Sequence, residues 1–197
     1  MACKDNIMKK LTFIIAILAI SSLTQAKEGV LTKIVDGDTL HFVSKNKTDK
    51  CTIAYIDTPE NSYNNKLKQD VETCKNIPTK VMLNAGDSAT KHANKLLKIS
   101  NSYNYSTHTK NGEQICEVSL GNGMTFSEKM LIDGYAVVWK VSKKEKEEQN
   151  FSSVLTYAKN KNNGLWGDNS QRGEVIKCLE KISAHDSEIA KSSYKSK

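Results

Sequence analysis

Two short acidic segments, each directly after an apolar run, restrict the fold of this chain more than any other feature. The first is Asp36-Gly37-Asp38, which separates the apolar run 30–35 from the run 39–43. An Asp-Gly pair between two runs rich in β-branched residues is a strong signal for a β-hairpin. The sequence therefore predicts two strands joined by an acidic turn.

The second acidic segment is Asp57-Thr58-Pro59-Glu60, which follows a third predicted strand over 50–56, after a polar turn over 44–49. Hard divalent cations prefer carboxylate oxygens, and a bound cation offsets the charge of a phosphodiester. Together the two segments therefore predict a metal site suited to phosphate chemistry. A simpler interpretation remains open, in which the aspartates are turn residues and Glu60 is a surface charge.

The rest of the chain alternates short strands with helical patterns. Strands are predicted over 103–108 and 114–120, and helices over 85–97, 126–133 and 151–161, with some helix over 67–74. Short twisted strands with helices inserted and following them indicate an α+β fold. We predict an OB-type five-stranded β-barrel with about three packed α-helices.

The N-terminus has the pattern of an export signal. Lys9 and Lys10 precede the apolar run 11–20, and Thr24-Gln25-Ala26 offers small residues at a cleavage site. We predict a signal peptide over 1–26, cleaved after Ala26, and a secreted or periplasmic protein without stable membrane association after cleavage. An uncleaved anchor is the alternative.

Charge and cysteine content narrow the environment and the partners. The formal net charge of +7 favours a polyanionic partner, and the positive residues are lysines apart from the single arginine, Arg172. Four cysteines follow the signal peptide: Cys51, Cys74, Cys116 and Cys178. In an exported chain they predict up to two disulfides, although buried free thiols are also possible.

The chain resembles the staphylococcal nuclease (thermonuclease) family from about residue 30 to residue 166. The motifs that carry the resemblance, in order, are 35–39, 56–60, the helix after Ala85, 127–136, and Ala158-Lys159 followed by Gly164-Leu165-Trp166. The resemblance implies a nuclease-like domain over 27–168, followed by a polar C-terminal tail over 169–197. A monomer is the default expectation.

The resemblance also implies a Ca²⁺-dependent nuclease that cleaves DNA and RNA. By this resemblance Asp38 and Asp57 are the carboxylate ligands of Ca²⁺, and the carbonyl of Thr58 is a third ligand. Asp36 supports them from nearby. Glu60 matches the general base that activates or orients the attacking water.

The chain departs from the family at the two arginines that grip the phosphate. The first expected position holds Thr52, and the second holds Glu113, or Gln114 if the alignment is shifted by one. A lysine supplies charge but not the planar fork of arginine. Lys50 and Lys110 are the candidates for contacting the substrate phosphate, and solvated surface lysines are the alternative.

Three functions therefore remain open. The first is a weak or lysine-compensated exported nuclease, the second is a catalytically inactive nucleic-acid-binding OB-type module, and the third is a barrel that serves a partner protein. In the fold that the resemblance implies, Cys51 and Cys116 are plausible neighbours. Cys74 is then expected to pair with either of them or with Cys178.

Overall fold

The computed structural model of the protein describes residues 26–110, 112–139 and 145–195, with only the backbone described for 145–149 and 185–195. The predicted signal peptide, apart from Ala26, lies outside the described residues. Asn111, in the predicted turn after Lys110, is outside them as well. Within the described ranges, no helix combines the length and apolar character that are needed to span a bilayer.

Five strands close into a β-barrel. They are β1 (Ala26–Ile34), β2 (Thr39–Ser44), β3 (Lys47–Ile53), β5 (Ser102–Lys110) and β6 (Glu113–Val118), with β4 (Ile56–Asp57) and β7 (Val137–Val138) pairing beside them. The order around the barrel is β1-β2-β3-β6-β5, and β5 returns to pair with β1. Neighbouring strands are antiparallel except β3 and β6. This arrangement confirms the predicted α+β fold with an OB-type barrel.

The barrel interior combines apolar packing with one paired charge. The rings of Phe42 and Tyr105 stack with 4.5 Å between centroids. The Tyr105 hydroxyl donates to Asp49 at 2.7 Å, and Lys27 Nζ lies 3.2 Å from the same carboxylate. Asp49 is buried, so the hydroxyl and the ammonium supply the hydrogen bond and the counter-charge that a buried carboxylate needs.

The turn between β2 and β3 is shorter than predicted. Instead of a polar turn over 44–49, Ser44 pairs with Lys47, and only Lys45 and Asn46 lie between the strands. Both have positive φ, 50° and 62°, as a two-residue type I′ turn requires. The polar composition of this stretch therefore belongs largely to the start of β3, which faces solvent except at Asp49.

The predicted strand over 50–56 is wrong at its end, because the chain turns at Tyr55. Tyr55 has a φ of 68°, and Ile56–Asp57 pairs with β7 instead of continuing β3. Contacts from distant residues hold this turn: Trp139 N donates to Tyr55 O at 2.8 Å, and the Tyr55 ring stacks on Phe151. The turn sends Asp57 away from the barrel wall.

The described residues contain five α-helices rather than about three. They are α1 (Asn65–Thr73), α2 (Thr79–Leu96), α3 (Phe126–Ile132), α4 (Glu145–Asn160) and α5 (Gln171–Lys195), with a 3₁₀ turn at Gly164–Gly167. Helix α2 begins earlier than predicted, directly after Pro78, where proline's fixed φ suits the start of a helix. Helix α4 begins at Glu145, six residues before the predicted start at residue 151.

Helix α5 occupies the segment that was predicted to be a polar tail. Val175, Ile176 and Leu179 of its apolar face are fully buried. A disulfide joins Cys178 to Cys74, at the C-terminal end of α1. A second disulfide, between residues 51 and 116, links β3 to β6. Cys51 and Cys116 are therefore bonded as plausible neighbours, and of the pairings left open for Cys74 the one with Cys178 is present. Two disulfides suggest an oxidising, extracytosolic environment.

Candidate active site

The first acidic segment is a turn packed tightly against the second. Asp38 N donates to Asp36 Oδ1 at 3.1 Å, and Val35 N donates to Thr39 O at 2.9 Å across the turn. Gly37 does not have positive φ, so the turn does not need glycine for its backbone conformation. A Cβ at Gly37 would instead lie 2.7 Å from Thr58 Oγ1. Glycine is needed here for space between the two segments.

A backbone hydrogen bond joins the two acidic segments. Thr58 N donates to Asp38 Oδ2 at 2.9 Å, and Ile53 N donates to Asp38 O at 2.8 Å. Asp57 ends β4, so the turn at Tyr55 and this hydrogen bond together bring Asp57 close to Asp38. Thr58 Oγ1 is buried and has no hydrogen-bond partner among the described residues.

The loop that carries Glu60 is held from both sides. Asn61 Nδ2 donates to Val35 O at 2.8 Å, and Asn64 Nδ2 donates to Glu60 Oε2 at 2.5 Å. Asn64 is also the N-cap of α1, because its Oδ1 accepts from Leu67 N. On the other side, Gly86 of α2 packs directly on the Glu60 backbone. Glu60 is therefore fixed beside the acidic turn.

Lys66 is a residue of this site that sequence reasoning missed. Its Nζ lies 3.0 Å from Asp57 Oδ1, 3.4 Å from Glu60 Oε1 and 2.9 Å from Asp70 Oδ2. Lys66 and Asp70 are four residues apart on α1, so they share one face of that helix. The signal in the sequence was the Lys-x-x-x-Asp pair that begins six residues after Glu60. Whether the lysine side chain points toward the acidic segments depends on how α1 packs.

Burial and mutual repulsion make three carboxylates of this cluster weaker acids: Asp38, Asp57 and Glu60. The buried members are Asp36, Asp38, Asp57, Glu60 and Asp70. Burial raises the pKa of Asp38 well above its usual value, and the charges of Asp36 and Asp57 raise it further. Burial also raises the pKa of Asp57 to about 6 and the pKa of Glu60 above its usual value. The site therefore has more negative charge than its surroundings balance.

For Lys66 the same surroundings favour the charged form of the side chain, whereas for the carboxylates they favour the neutral form. Burial alone would lower the pKa of Lys66, but the carboxylates of Asp57, Asp70 and Glu60 outweigh burial and raise it. Lys66 therefore stays protonated. Its positive charge in turn limits the rise in the pKa values of Asp57 and Glu60.

The residues considered for phosphate binding lie on the outside of the barrel. Lys50 is exposed, and Thr52 follows two residues later on the same face of β3. In the strand register Lys50 is opposite His41, which is opposite Lys33. We call Lys33, His41 and Lys50 the basic row. Burial, together with the charges of the two lysines, lowers the pKa of His41.

The basic row lies close to the acidic turn, whereas the β5–β6 hairpin presents mixed charge. Thr39 directly follows the acidic turn and pairs with Thr52, so the row is roughly 7 Å further along the strands. Glu113 is exposed and pairs with Lys110 across the hairpin. In the contacts of the described residues, neither Lys50 nor Lys110 touches the carboxylate cluster.

The side chains of this cluster do not by themselves form a complete metal site. Across the described part of the chain, no group of three or more His, Cys, Asp or Glu side chains is arranged to hold a metal ion. The predicted set has two carboxylates, Asp38 and Asp57, and one backbone carbonyl, Thr58. A site of that kind would need oxygen ligands from water or substrate as well.

The fold and the site together define a class of protein: an OB-type barrel with a buried acidic cluster where two loops meet. The comparisons name the family. A family model described as "Staphylococcal nuclease homologue" matches residues 50–168, more than half of the chain, and the chain therefore belongs to the staphylococcal nuclease family. A search of curated proteins found no match. The family is generally Ca²⁺-dependent, and a nucleic acid substrate is implied. The matched range includes Asp57 and Glu60 but not Asp38.

Proposed function

We propose that this protein is an exported, Ca²⁺-dependent nuclease that hydrolyses phosphodiester bonds in DNA or RNA. The observation that carries the proposal is the hydrogen bond from Thr58 N to Asp38 Oδ2, 2.9 Å long, which links the two acidic segments. It brings Asp38, which lies outside the family match, next to Asp57, which lies within it.

The proposed ligands of Ca²⁺ are Asp38, Asp57 and the carbonyl of Thr58. Asp36 supports Asp38, because its carboxylate accepts from the backbone N–H of Asp38. These hard oxygen donors fit Ca²⁺ chemically. The electrostatics also fit, because burial and repulsion raise the pKa of Asp38, and a nearby cation would offset both effects. When bound, the ion supplies positive charge that offsets the charge of the scissile phosphate.

Glu60 is the proposed general base. Its Oε2 accepts from Asn64, and its Oε1 faces Lys66, so the carboxylate is oriented at both oxygens. Burial raises the pKa of Glu60, which makes it a stronger base for taking a proton from water than an exposed glutamate.

Lys50 and Lys110 are the proposed phosphate contacts, and in the basic row Lys50 is followed by His41 and then by a second lysine, Lys33. These lysines replace the arginine forks only in part, because Thr52 and Glu113 stand at the expected arginine positions. Losing one charge-stabilising donor typically lowers the rate by on the order of 10²–10³. We therefore propose a slow nuclease.

Export is proposed on the sequence pattern of residues 1–26 together with the two disulfides, which suit an oxidising compartment. In this proposal the signal is cleaved after Ala26, and the mature protein is a monomer without stable membrane association. Mass spectrometry of the protein from the culture medium or periplasm would test it. A retained N-terminus would contradict cleavage.

A second candidate function is a nucleic-acid-binding module without catalysis. The observation that favours it is the chemistry at the two expected arginine positions, where Thr52 is half-buried and Glu113 is exposed and acidic. Such a protein would bind nucleic acid in a salt-dependent way and release no products.

A digestion assay separates the two functions. Purified protein is incubated with plasmid DNA and with RNA, with Ca²⁺ and with chelator. We expect metal-dependent cleavage that is lost in Asp57→Asn and Glu60→Gln but kept in Asp87→Asn, an exposed control on α2. Binding without cleavage at any Ca²⁺ concentration would contradict the nuclease proposal. Thr52→Arg and Glu113→Arg would then show whether the missing guanidinium groups are the cause.

A further inference from the structure

Lys66 holds a position in this site that a helix-stabilising ion pair does not require. Its pairing with Asp70 at 2.9 Å, one turn along α1, would by itself satisfy the ammonium. The same Nζ nevertheless also contacts Asp57 at 3.0 Å and Glu60 at 3.4 Å. These two residues are the proposed metal ligand and the proposed base.

We propose that the Lys66 ammonium is a built-in competitor of the metal ion. It offsets part of the negative charge of Asp57 and Glu60 in the metal-free protein, and it has to leave Asp57 when Ca²⁺ binds. This inference rests on the proposed function, because it needs Asp57 to be a metal ligand.

The competition follows from charge. One carboxylate, Asp57, would serve both a lysine ammonium and a divalent cation, in a buried cluster where bulk water screens repulsion poorly. Two cations on one carboxylate repel each other, so the affinity of each is lowered by the other. Lys66 thereby sets the Ca²⁺ concentration at which the site fills.

The structure provides an alternative position for the displaced ammonium. Asp70 is buried on the same face of α1, and the Lys66 side chain is 35% exposed, which leaves room for it to move. Lys66 can therefore keep its ion pair with Asp70 while releasing Asp57. Displacement then does not leave a buried ammonium without a partner.

Calorimetric titration of Ca²⁺ into the protein, without nucleic acid, tests this inference. The variants are Lys66→Met and, as a matched control, Lys68→Met, whose lysine is exposed on the same helix. Removing one repelling charge is expected to tighten Ca²⁺ binding by about tenfold in Lys66→Met. Lys68→Met should bind like the unmodified protein. Equal or weaker binding by Lys66→Met would overturn the inference.

The same titration separates this inference from the proposed function. If neither the unmodified protein nor Lys66→Met binds Ca²⁺, the proposed function fails and the inference falls with it. If the unmodified protein binds Ca²⁺ and Lys66→Met binds no more tightly, only the inference fails.

A second measurement needs no substitution and so covers the case in which Lys66→Met does not fold. Amine-selective labelling of the unmodified protein is quantified by mass spectrometry with and without Ca²⁺. We expect labelling of Lys66 to rise with Ca²⁺ relative to that of Lys68, because the ammonium leaves Asp57 and keeps only its ion pair with Asp70. An unchanged ratio at saturating Ca²⁺ would overturn the inference.

Discussion

Gly86 is the residue through which helix α2 positions the proposed base. It is buried in α2 against the loop that carries Glu60. A Cβ at Gly86 would lie 2.1 Å from Glu60 O and 2.6 Å from Asn61 N, both backbone atoms. Since non-bonded heavy atoms prefer roughly 3.5 Å, Gly86→Ala requires the helix and the loop to separate by about 1 Å.

The expected size of the effect follows from two opposing terms. Overpacking of a buried contact typically lowers the free energy of unfolding by about 1–3 kcal/mol. Alanine stabilises a helix interior by about 1 kcal/mol relative to glycine. We therefore expect Gly86→Ala to lower the free energy of unfolding by up to about 2 kcal/mol. A displacement of Glu60 by about 1 Å should also reduce the cleavage rate by about 100-fold.

Urea denaturation and the plasmid digestion assay measure the two effects separately. Asp87→Ala, at the exposed neighbouring position, is the control: it gains helix propensity without a clash. Gly86→Ala with the stability and cleavage rate of the unmodified protein would refute the close packing. A destabilised Gly86→Ala that cleaves normally would keep the packing but refute the link between the position of Glu60 and catalysis.

Three further predictions concern charge and covalent links. Because burial raises the pKa of Asp57 to about 6, the metal-free folded state holds this proton more tightly than the unfolded chain does. The contribution of Asp57 to the free energy of unfolding should therefore fall by about 2 kcal/mol between pH 4 and pH 7. Urea titrations in chelator measure this fall, and Asp57→Asn should lack it. Replacing Cys74 and Cys178 by serine opens a long covalent loop and should lower the free energy of unfolding by about 4 kcal/mol; an unchanged denaturation midpoint would contradict this. Replacing Lys33 and Lys50 by glutamine should make the salt dependence of duplex binding shallower by about 2 in slope, while an exposed lysine pair on α2 should not.

The barrel was predictable because its signals are local. Alternating apolar residues and an Asp-Gly turn predict β1 and β2 within about fifteen residues of sequence. The turn at Tyr55 was not predictable, because distant contacts with Trp139 and Phe151 create it. In α5 the sequence shows a weak helical pattern of apolar residues, but not that this face is buried. The burial depends on packing against α2, which comes from a distant part of the chain.

In the candidate site, residue types were predictable and spatial relations were not. Within each acidic segment the carboxylates are close together in sequence, so each segment could be recognised as a candidate ligand group, whereas Asp70 on α1 was not predicted. The sequence does not show that Gly37 and Gly86 are needed for close packing, because the atoms that each contacts come from another segment of the chain. Lys66 could not be assigned either, since its direction depends on the N-cap at Asn64 and on the packing of α1.

The absence of the two arginines and the position of Lys66 have a common electrostatic consequence. Thr52 and Glu113 stand at the expected arginine positions, and the cluster carries five buried carboxylates and one contacting lysine. A phosphate approaching the metal-free site therefore meets net negative charge. In this chain we therefore expect the metal to bind before the substrate, more strictly than in a site that contains arginines. Fluorescence anisotropy of a dinucleotide, too short to span both the cluster and the basic row, should show binding only with Ca²⁺. Long DNA should still bind weakly in chelator through the basic row. Dinucleotide binding of equal strength in chelator would show that phosphate affinity comes from side chains alone, and would contradict this order.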